Sequence, residues 1–574
     1  MLNGRIKTTV MLGIFPPLLV AGFYFTDVWR GLKGIRGGQK DAAFYTVQMW
    51  RTGKILTGRW WRQTDPLGET QPYPPDTLRL PHLHEGVDLL VLSTLTSTFF
   101  RDVSGISELS FGQNAKKTWY KNDYSAPIIH FTLLSILVLL VNGWVAGGMV
   151  FYYTHRVTWS LLSQVLILLN WTTIHQFNSH LHWYKHFWVL AVILASYSFW
   201  VDPNRRKAIW LGVLLALLIQ GSWYFSFFLF LALGMAIITQ FLRAQVRKTH
   251  LVHGWLVGLI AVFLGGLLTL PYWVQRNHSQ DQFSHRDLRD LLWLSSELCH
   301  YVLPKWSETG ELYHQARVRY SPLAADIEVW HYPGILVLVT LLGYGIFRLR
   351  TRPVTDLAQG RIDYLVFLSV LLVGISLSGG ISIILYKWVP QFRIYGRAGV
   401  VAVGIWSLVV PLILSRFSDR YLPGKWRVWF AVCCLIPALW DGWRAREALR
   451  LPDAKATLNI PGWVPWLAEQ PSQVRAAIFP VVPEDYEQAY WWIFHRHEVL
   501  NTCDIRFFEQ DVLSSGAKAG EAITKEMVDL LKRRGYGLII LRDRLWEKYP
   551  WIESTDTLIS VKETNSWRVY RIVE

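Results

Sequence analysis

Long apolar runs constrain this chain more than any other feature. A helix that crosses a bilayer needs roughly 17–25 consecutive apolar residues, and a soluble fold has nowhere to bury many such runs. Runs close to that length occur at about 8–26, 127–153, 157–176, 186–201, 208–221, 223–242, 253–274, 333–349, 363–381, 398–415 and 426–441. The reading is a mostly α polytopic transmembrane bundle of about eleven spans. Composition agrees: 52% of the 574 residues are hydrophobic, and 31 Trp suit anchoring at membrane interfaces. Within 208–242, Ser222 and Trp223 mark either a very short turn between two spans or one long broken helix. At the start, Arg5 and Lys7 precede an apolar core with no small-residue cleavage site after it, so a retained first span is expected.

Orientation follows from lysine and arginine in the short loops. With the N-terminus inside, DPNRRK (202–207), LRAQVRKTH (242–250), RLRTR (348–352) and SRFSDRYLPGKWR (415–427) all fall inside. Those loops account for much of the net charge of +16, and no nucleic-acid motif is present, so a polyanionic partner is not needed to explain it. The same assignment puts three larger segments outside: 27–126, 275–332 and 442–574. In the first, DTLRLPHLHEGVDLLVLSTLTSTFF bunches its apolar residues at helical spacing, as an amphipathic helix on the membrane surface does. In the last, VRAAIFPVV, YGLIILRD, DTLISVKE and WRVYRIV read as strands, with GEAITKEMVDLLKRRG as a helix. The expected organisation is a transmembrane domain over 1–445 and a small extracytoplasmic α/β domain over 446–574. Neither an internal repeat nor a low-complexity segment appears. Cys433 and Cys434 read as packing inside an apolar run, whereas Cys299 and Cys503 pair only if the fold brings them together.

Four outward features carry candidate chemistry. QFRIYGRAG places Arg393 and Arg397 between spans nine and ten, against the charge rule. They either snorkel or pair with an acid, or they hold an anion, for which a guanidinium fork is well shaped. In a helix their spacing puts both on one face, and Gly396 and Gly399 let the backbone approach a ligand. Asp41, in RGGQKDAAFYTVQMW after span one, either caps a helix or serves as a general base, with Asp27 and Asp65 as rivals. IHQFNSHLHWYKHFW carries His175, Asn178, His180, His182, Lys185 and His186 at the mouths of spans three and four, where polar groups line water-filled sites. His182 and His186 are four apart, but no HExxH pattern accompanies them, so a metal site is not expected. Glu328 stands in AADIEVWHYPGILVLV, just before span eight.

This layout resembles the GT-C superfamily, polytopic membrane glycosyltransferases that use polyprenyl-phosphate-linked sugars. GGQKDAAFY is similar to the Gly-Gly-Asp-x-x-x-Tyr segment of bacterial members. NSHLHWYKHFW resembles the His-containing turn that opens span four in many relatives. DIEVWHYPG resembles a Glu-x-x-Tyr-Leu-Gly segment, with Trp330 where tyrosine is usual. LYKWVPQFRIYGRAGVV resembles Pro-x-Phe-x-x-x-Arg-x-Pro-x-Arg-Phe, with Gly396 where proline is common and Gly399 near the usual aromatic. The resemblance spans about residues 1–445. It implies inverting transfer from a polyprenyl-phosphate-linked sugar to a saccharide, lipid or protein acceptor. Asp41 would be the base, and Arg397, Arg393, His180, His182, Lys185 and Glu328 would bind substrate. It implies no obligatory cofactor, although some members use a divalent metal. It implies a multi-pass protein of the bacterial cytoplasmic membrane whose site faces outside. Two other readings compete: a transporter or flippase of lipid-linked saccharides, and a non-catalytic membrane assembly protein.

Overall fold

The computed structural model of the chain describes residues 10–24, 125–177, 185–242, 248–278, 291–292, 294–320, 329–351, 356–379, 381–388, 395–449, 462–471, 474–479, 523–533, 535–542, 545–564 and 566–573. Asp41, His180, His182, Glu328, Arg393, Cys503 and the amphipathic run of the first outer loop lie outside these residues. Among the described residues, Cys299, Cys433 and Cys434 are free thiols.

A helix occupies each of the eleven apolar runs. These are α1 (Val10–Tyr24), α2 (Ser125–Thr154), α3 (Val157–Leu168) with α4 (Trp171–Phe177), α5 (His186–Val201), α6 (Arg205–Gly221), α7 (Trp223–Leu242) and α8 (Lys248–His278). After two short helices, α9 (Leu298–Val302) and α10 (Glu308–Tyr320), the bundle resumes with α11 (Ile335–Arg350), α12 (Leu357–Ser376), α13 (Ile381–Trp388), α14 (Ala398–Tyr421) and α15 (Gly424–Ala448). Among the described residues, by length and composition alone, four helices can cross a membrane: Thr132–Thr154, Thr249–Leu268, Leu357–Ser376 and Tyr395–Tyr421. The pair α3 and α4, bent by 53°, makes a fifth if taken as one span. The 208–242 question resolves as two helices divided at Ser222, whose extended backbone ends α6.

Helix α14 is the centre of the bundle and α8 its periphery. Of the span-length window in α14, 94% is buried, against 17% in α8. Small residues explain the first. Ala398, Gly399, Ala402 and Gly404 leave room for neighbours to press against the helix backbone, and a Cβ on Gly404 would lie 2.8 Å from His186 Nδ1. Leu251, Trp255, Leu259, Val262 and Phe263 explain the second, for all five stand exposed on one apolar surface. Its other side meets α6 closely at glycines: a Cβ on Gly212 would come 2.8 Å from Ile260, and one on Gly265 would come 2.8 Å from Ile219.

The bundle has two chemically distinct ends. One gathers basic residues. There Arg156 and Arg427 both reach Asp419, at 2.6 and 3.0 Å, Arg348 meets Asp363 at 3.0 Å, and Arg416 pairs with Asp356. The other end carries the turn at Tyr395–Arg397, the start of α5 and the α9–α10 segment.

Beyond α15 follow α16 (Trp463–Ala468), β1 (Arg475–Phe479), α17 (Lys525–Arg533), β2 (Tyr536–Arg542), β3 (Leu558–Glu563) and β4 (Trp567–Ile572). The strands form one sheet in the order β1-β2-β4-β3. β1 and β2 run parallel, which requires a crossover, and α17 lies on it; β2–β4 and β3–β4 are antiparallel. All four strands fall in the four runs read as strands. Phe479, Met527, Leu531, Ile539, Leu541 and Tyr570 pack a core separate from that of the bundle.

Candidate functional site

The site grows from the break between α6 and α7. Ser222 opens α7: its hydroxyl accepts from Phe225 N at 3.3 Å, and its carbonyl accepts from Ser226 Oγ at 2.8 Å. The break turns the start of α7 toward α5 and α14. The Arg397 guanidinium lies over the Tyr224 ring, 4.7 Å from its centroid. Lys185 Nζ would be 3.9 Å from a Cβ on Gly221. Two of the cations read from the sequence therefore meet the same short segment, 221–224. Lys185 is only 1% exposed, which departs from the water-filled lining expected of it. Between them, His186 stacks on Phe225 at 6.3 Å and 17° and is fully buried. Neither ring nitrogen of His186 has a hydrogen-bond partner among the described residues.

A second set of contacts holds the Arg397 turn. Gly396 N donates to Leu294 O at 3.1 Å, and Gly396 O lies 2.6 Å from His331 Nε2. Glycine is needed at 399: a Cβ there would lie 2.2 Å from His331 Cδ2 and 2.3 Å from the Tyr301 hydroxyl oxygen. The segment that supplies His331 is itself tied down. Ser296 N donates to Ser376 O and Ser378 N donates to Ser296 O, both at 2.8 Å. Ser296 Oγ donates to Val329 O at 3.0 Å, His331 N to His300 O at 3.1 Å, and Tyr301 Oη shares a hydrogen bond with Ser376 Oγ at 2.5 Å. Residues 294–301 and 329–331 thus clamp the end of α12 and the turn before α14.

Charge in this clamp is arranged with care. Arg317 is nearly buried and meets Glu297 at 3.3 Å, and the Tyr313 hydroxyl also donates to Glu297. Glu297 N donates to His300 Nδ1 at 2.9 Å, Arg317 Nη1 lies 2.8 Å from His300 Nε2, and Trp330 packs on the ring at 4.7 Å. Burial first, then the Arg317 charge, push the His300 imidazole down to about 2, so it stays neutral. Burial and the adjacent Glu297 hold the Tyr313 phenol above its ordinary range.

Sequence reasoning missed Tyr224, His331 and Tyr301. His331 stood in the quoted AADIEVWHYPG, but only the fold shows that it faces Gly396 and Gly399, two positions flagged for close approach. Among the described residues no cluster of His, Cys, Asp or Glu could hold a metal ion.

Neither a protein-family model nor a curated protein matches the sequence. Solved structures do. ArnT from Cupriavidus metallidurans in the apo state aligns over 97% of both chains at 11% identity, with a TM-score of 0.51. The same protein bound to undecaprenyl phosphate aligns over 97% of both chains at 12% identity, with a TM-score of 0.46. The mycobacterial arabinofuranosyltransferase AftD aligns over 80% of this chain and 36% of its own, at 14% identity and a TM-score of 0.40. The first alignment shows a shared fold along nearly the whole chain. The chain shares the ArnT fold and carries apolar helices long enough to cross a membrane, as expected of an integral membrane protein.

Proposed function

We propose that this protein is a membrane glycosyltransferase that moves a sugar from a polyprenyl-phosphate carrier to an acceptor outside the membrane. The observation that carries the reading is the placement of Lys185 and Arg397 against one break, residues 221–224, at the end of a GT-C fold opposite its basic loops. A cation costs free energy when it leaves water, and an anionic ligand offsets that cost. A phosphate monoester is such a ligand, and a guanidinium fork suits its oxygens.

In this scheme the acceptor hydroxyl oxygen attacks the anomeric carbon as the bond from that carbon to the carrier phosphate oxygen breaks. The phosphate departs with the electron pair, and the acceptor proton passes to the Asp41 carboxylate. Attack opposite the leaving group inverts the anomeric centre. Arg397 is the principal phosphate ligand, supported by Arg393 and Lys185. His180, His182 and Glu328 bind the sugar or the acceptor. The leaving group is an anion before and after transfer, so holding its charge matters more than protonating it. The scheme needs no metal. The eleven-span count, an inside N-terminus, a transmembrane domain over 1–445, an extracytoplasmic domain over 446–574 and the bacterial cytoplasmic membrane belong to the same proposal.

The test is transfer from a panel of polyprenyl-phosphate sugars by protein in lipid nanodiscs. Asp41→Asn keeps the size and removes the basic oxygen, and a loss of about 10²–10⁴-fold in turnover is expected. If Asp41→Asn keeps full turnover while Asp27→Asn or Asp65→Asn abolishes it, the base is a different acid. If no donor is consumed by the wild type, the transferase reading fails.

A further inference from the structure

We infer that the end of the bundle opposite Arg397 binds the phosphate of an anionic lipid, on a platform made by Arg361 and Tyr153. The Arg361 guanidinium lies over the Tyr153 ring, 3.4 Å from its centroid, and is 5.5 Å from the centroid of Tyr197.

Three helices build the platform. The left-handed backbone of His155, with a φ of +52°, follows the end of α2, so Tyr153 belongs to the last turn of that helix. Asp356 opens α12, and Arg361 follows in its second turn. The end of α5 is fastened to α12: the Tyr197 hydroxyl donates to Leu357 O at 2.8 Å, and the Ser196 and Tyr364 hydroxyls share a hydrogen bond at 2.8 Å. Both α2 and α12 are long and apolar enough to span, over Thr132–Thr154 and Leu357–Ser376. Arg361 and Tyr153 therefore stand where two spans reach the lipid headgroups, whichever leaflet that is. Both residues are half-buried.

Arg361 has no counterion in the chain. Its Nε is buried without a hydrogen-bond partner, and neither Nη makes a hydrogen bond or ion pair among the described residues. The acids around it are committed elsewhere. Asp419 serves Arg156 and Arg427, and Asp363 serves Arg348. Asp356, which feels the Arg361 charge, accepts from Ala358 N at 3.0 Å and pairs with Arg416. The Tyr153 hydroxyl also has no partner among the described residues.

The unmet groups select the ligand. A guanidinium only donates and carries a charge, and a tyrosine hydroxyl can donate beside it. Stacking on a ring holds the guanidinium without using its N–H groups. A phosphodiester accepts from both groups and brings the opposite charge. A sugar or glycerol hydroxyl accepts but leaves the charge uncompensated. A zwitterionic lipid carries an ammonium of its own, so a lipid with net negative charge is preferred. The site rests neither on the transferase reading nor on the Arg397 junction.

The probe is phosphatidylglycerol, added to full-length delipidated protein in detergent and read by native mass spectrometry as retained lipid. Phosphatidylcholine is the zwitterionic comparison, and glycerophosphoglycerol is the soluble headgroup. Phosphatidylglycerol should be retained about tenfold or more tightly than phosphatidylcholine, and the soluble headgroup should not displace it. Arg361→Gln should weaken its retention by about tenfold or more, and Tyr153→Phe, which keeps the ring, by a smaller factor. Arg206→Gln removes the same charge from an exposed position at the same end and should change nothing. Arg397→Ala should also leave retention intact, which separates this site from the carrier site. The inference is overturned if the two lipids are retained alike or if Arg397→Ala abolishes retention. Displacement by the soluble headgroup would make the ligand a free phosphate instead. Equal losses in Arg206→Gln and Arg361→Gln would reduce the effect to diffuse charge. Wild-type retention by both Arg361→Gln and Tyr153→Phe would mean that water alone solvates the guanidinium.

Discussion

At the scale of single residues, the planar guanidinium of Arg397 lies over the Tyr224 ring. Arg397→Ala should weaken carrier binding by about ten- to hundredfold, the worth of one charge-assisted hydrogen bond. Arg397→Lys should recover little of it, because an ammonium is a point charge in place of a fork. Equilibrium binding of polyprenyl phosphate to nanodisc protein reads both. Normal carrier binding by Arg397→Ala would move the phosphate to Lys185. A different residue sets a pH limit. His300 falls from 6.5 to about 2 on folding, so the unfolded chain binds a proton that the folded chain refuses. Stability is therefore full above pH 6.5 and is lost as pH falls below it, by up to about 1.4 kcal/mol per pH unit for this one group. Between pH 7 and 5, the protection of the Ser296 and His331 amides relative to the intrinsic exchange rate at each pH should fall, and His300→Gln should flatten that dependence. An unchanged profile in the variant would place the limiting group elsewhere.

At the scale of elements, glycines decide how closely parts meet. Gly399→Ala puts a methyl where His331 and Tyr301 already stand, so the clamp must retreat. Overpacking of this kind costs about 1–3 kcal/mol, and a lower unfolding midpoint together with weaker carrier binding is expected. A variant that unfolds like the wild type and binds carrier normally would show that the clamp does not position Arg397. At the other element junction, Gly334 has a φ of +101°, and a Cβ there would lie 2.8 Å from Asp441 Oδ2. Glycine is thus required both for the backbone and for the carboxylate that caps α11. Gly334→Ala should lower the unfolding midpoint without touching Arg397.

At the scale of the whole molecule, charge divides between two ends. Arg156, Arg348, Arg416 and Arg427 gather with their acids at one end, and the Arg397 turn stands at the other. Basic loops stay in the cytoplasm, so the Arg397 end should face out. A single cysteine near position 500 should react with an impermeant maleimide in intact cells, and one near 350 should react only after permeabilisation. The reverse pattern would invert the topology and every site assignment with it.

The sequence by itself determined what depends on pattern. Apolar run length located the helices, strand-like alternation located β1 to β4, and ordered short motifs carried the resemblance to GT-C enzymes. Arg397 was legible because its charge offends the topological rule, and Lys185 because it sits in a polar turn. Tertiary structure alone decided what depends on contact between distant residues. Nothing local in WYFSFF announces that Tyr224 underlies Arg397, since the pair forms only when the break at Ser222 turns α7 toward α14. The role of His331 likewise depends on a glycine 68 positions away in the chain, Gly399, having no side chain. Periodicity reports which way a residue faces along its own element, whereas a site is made where several elements end together.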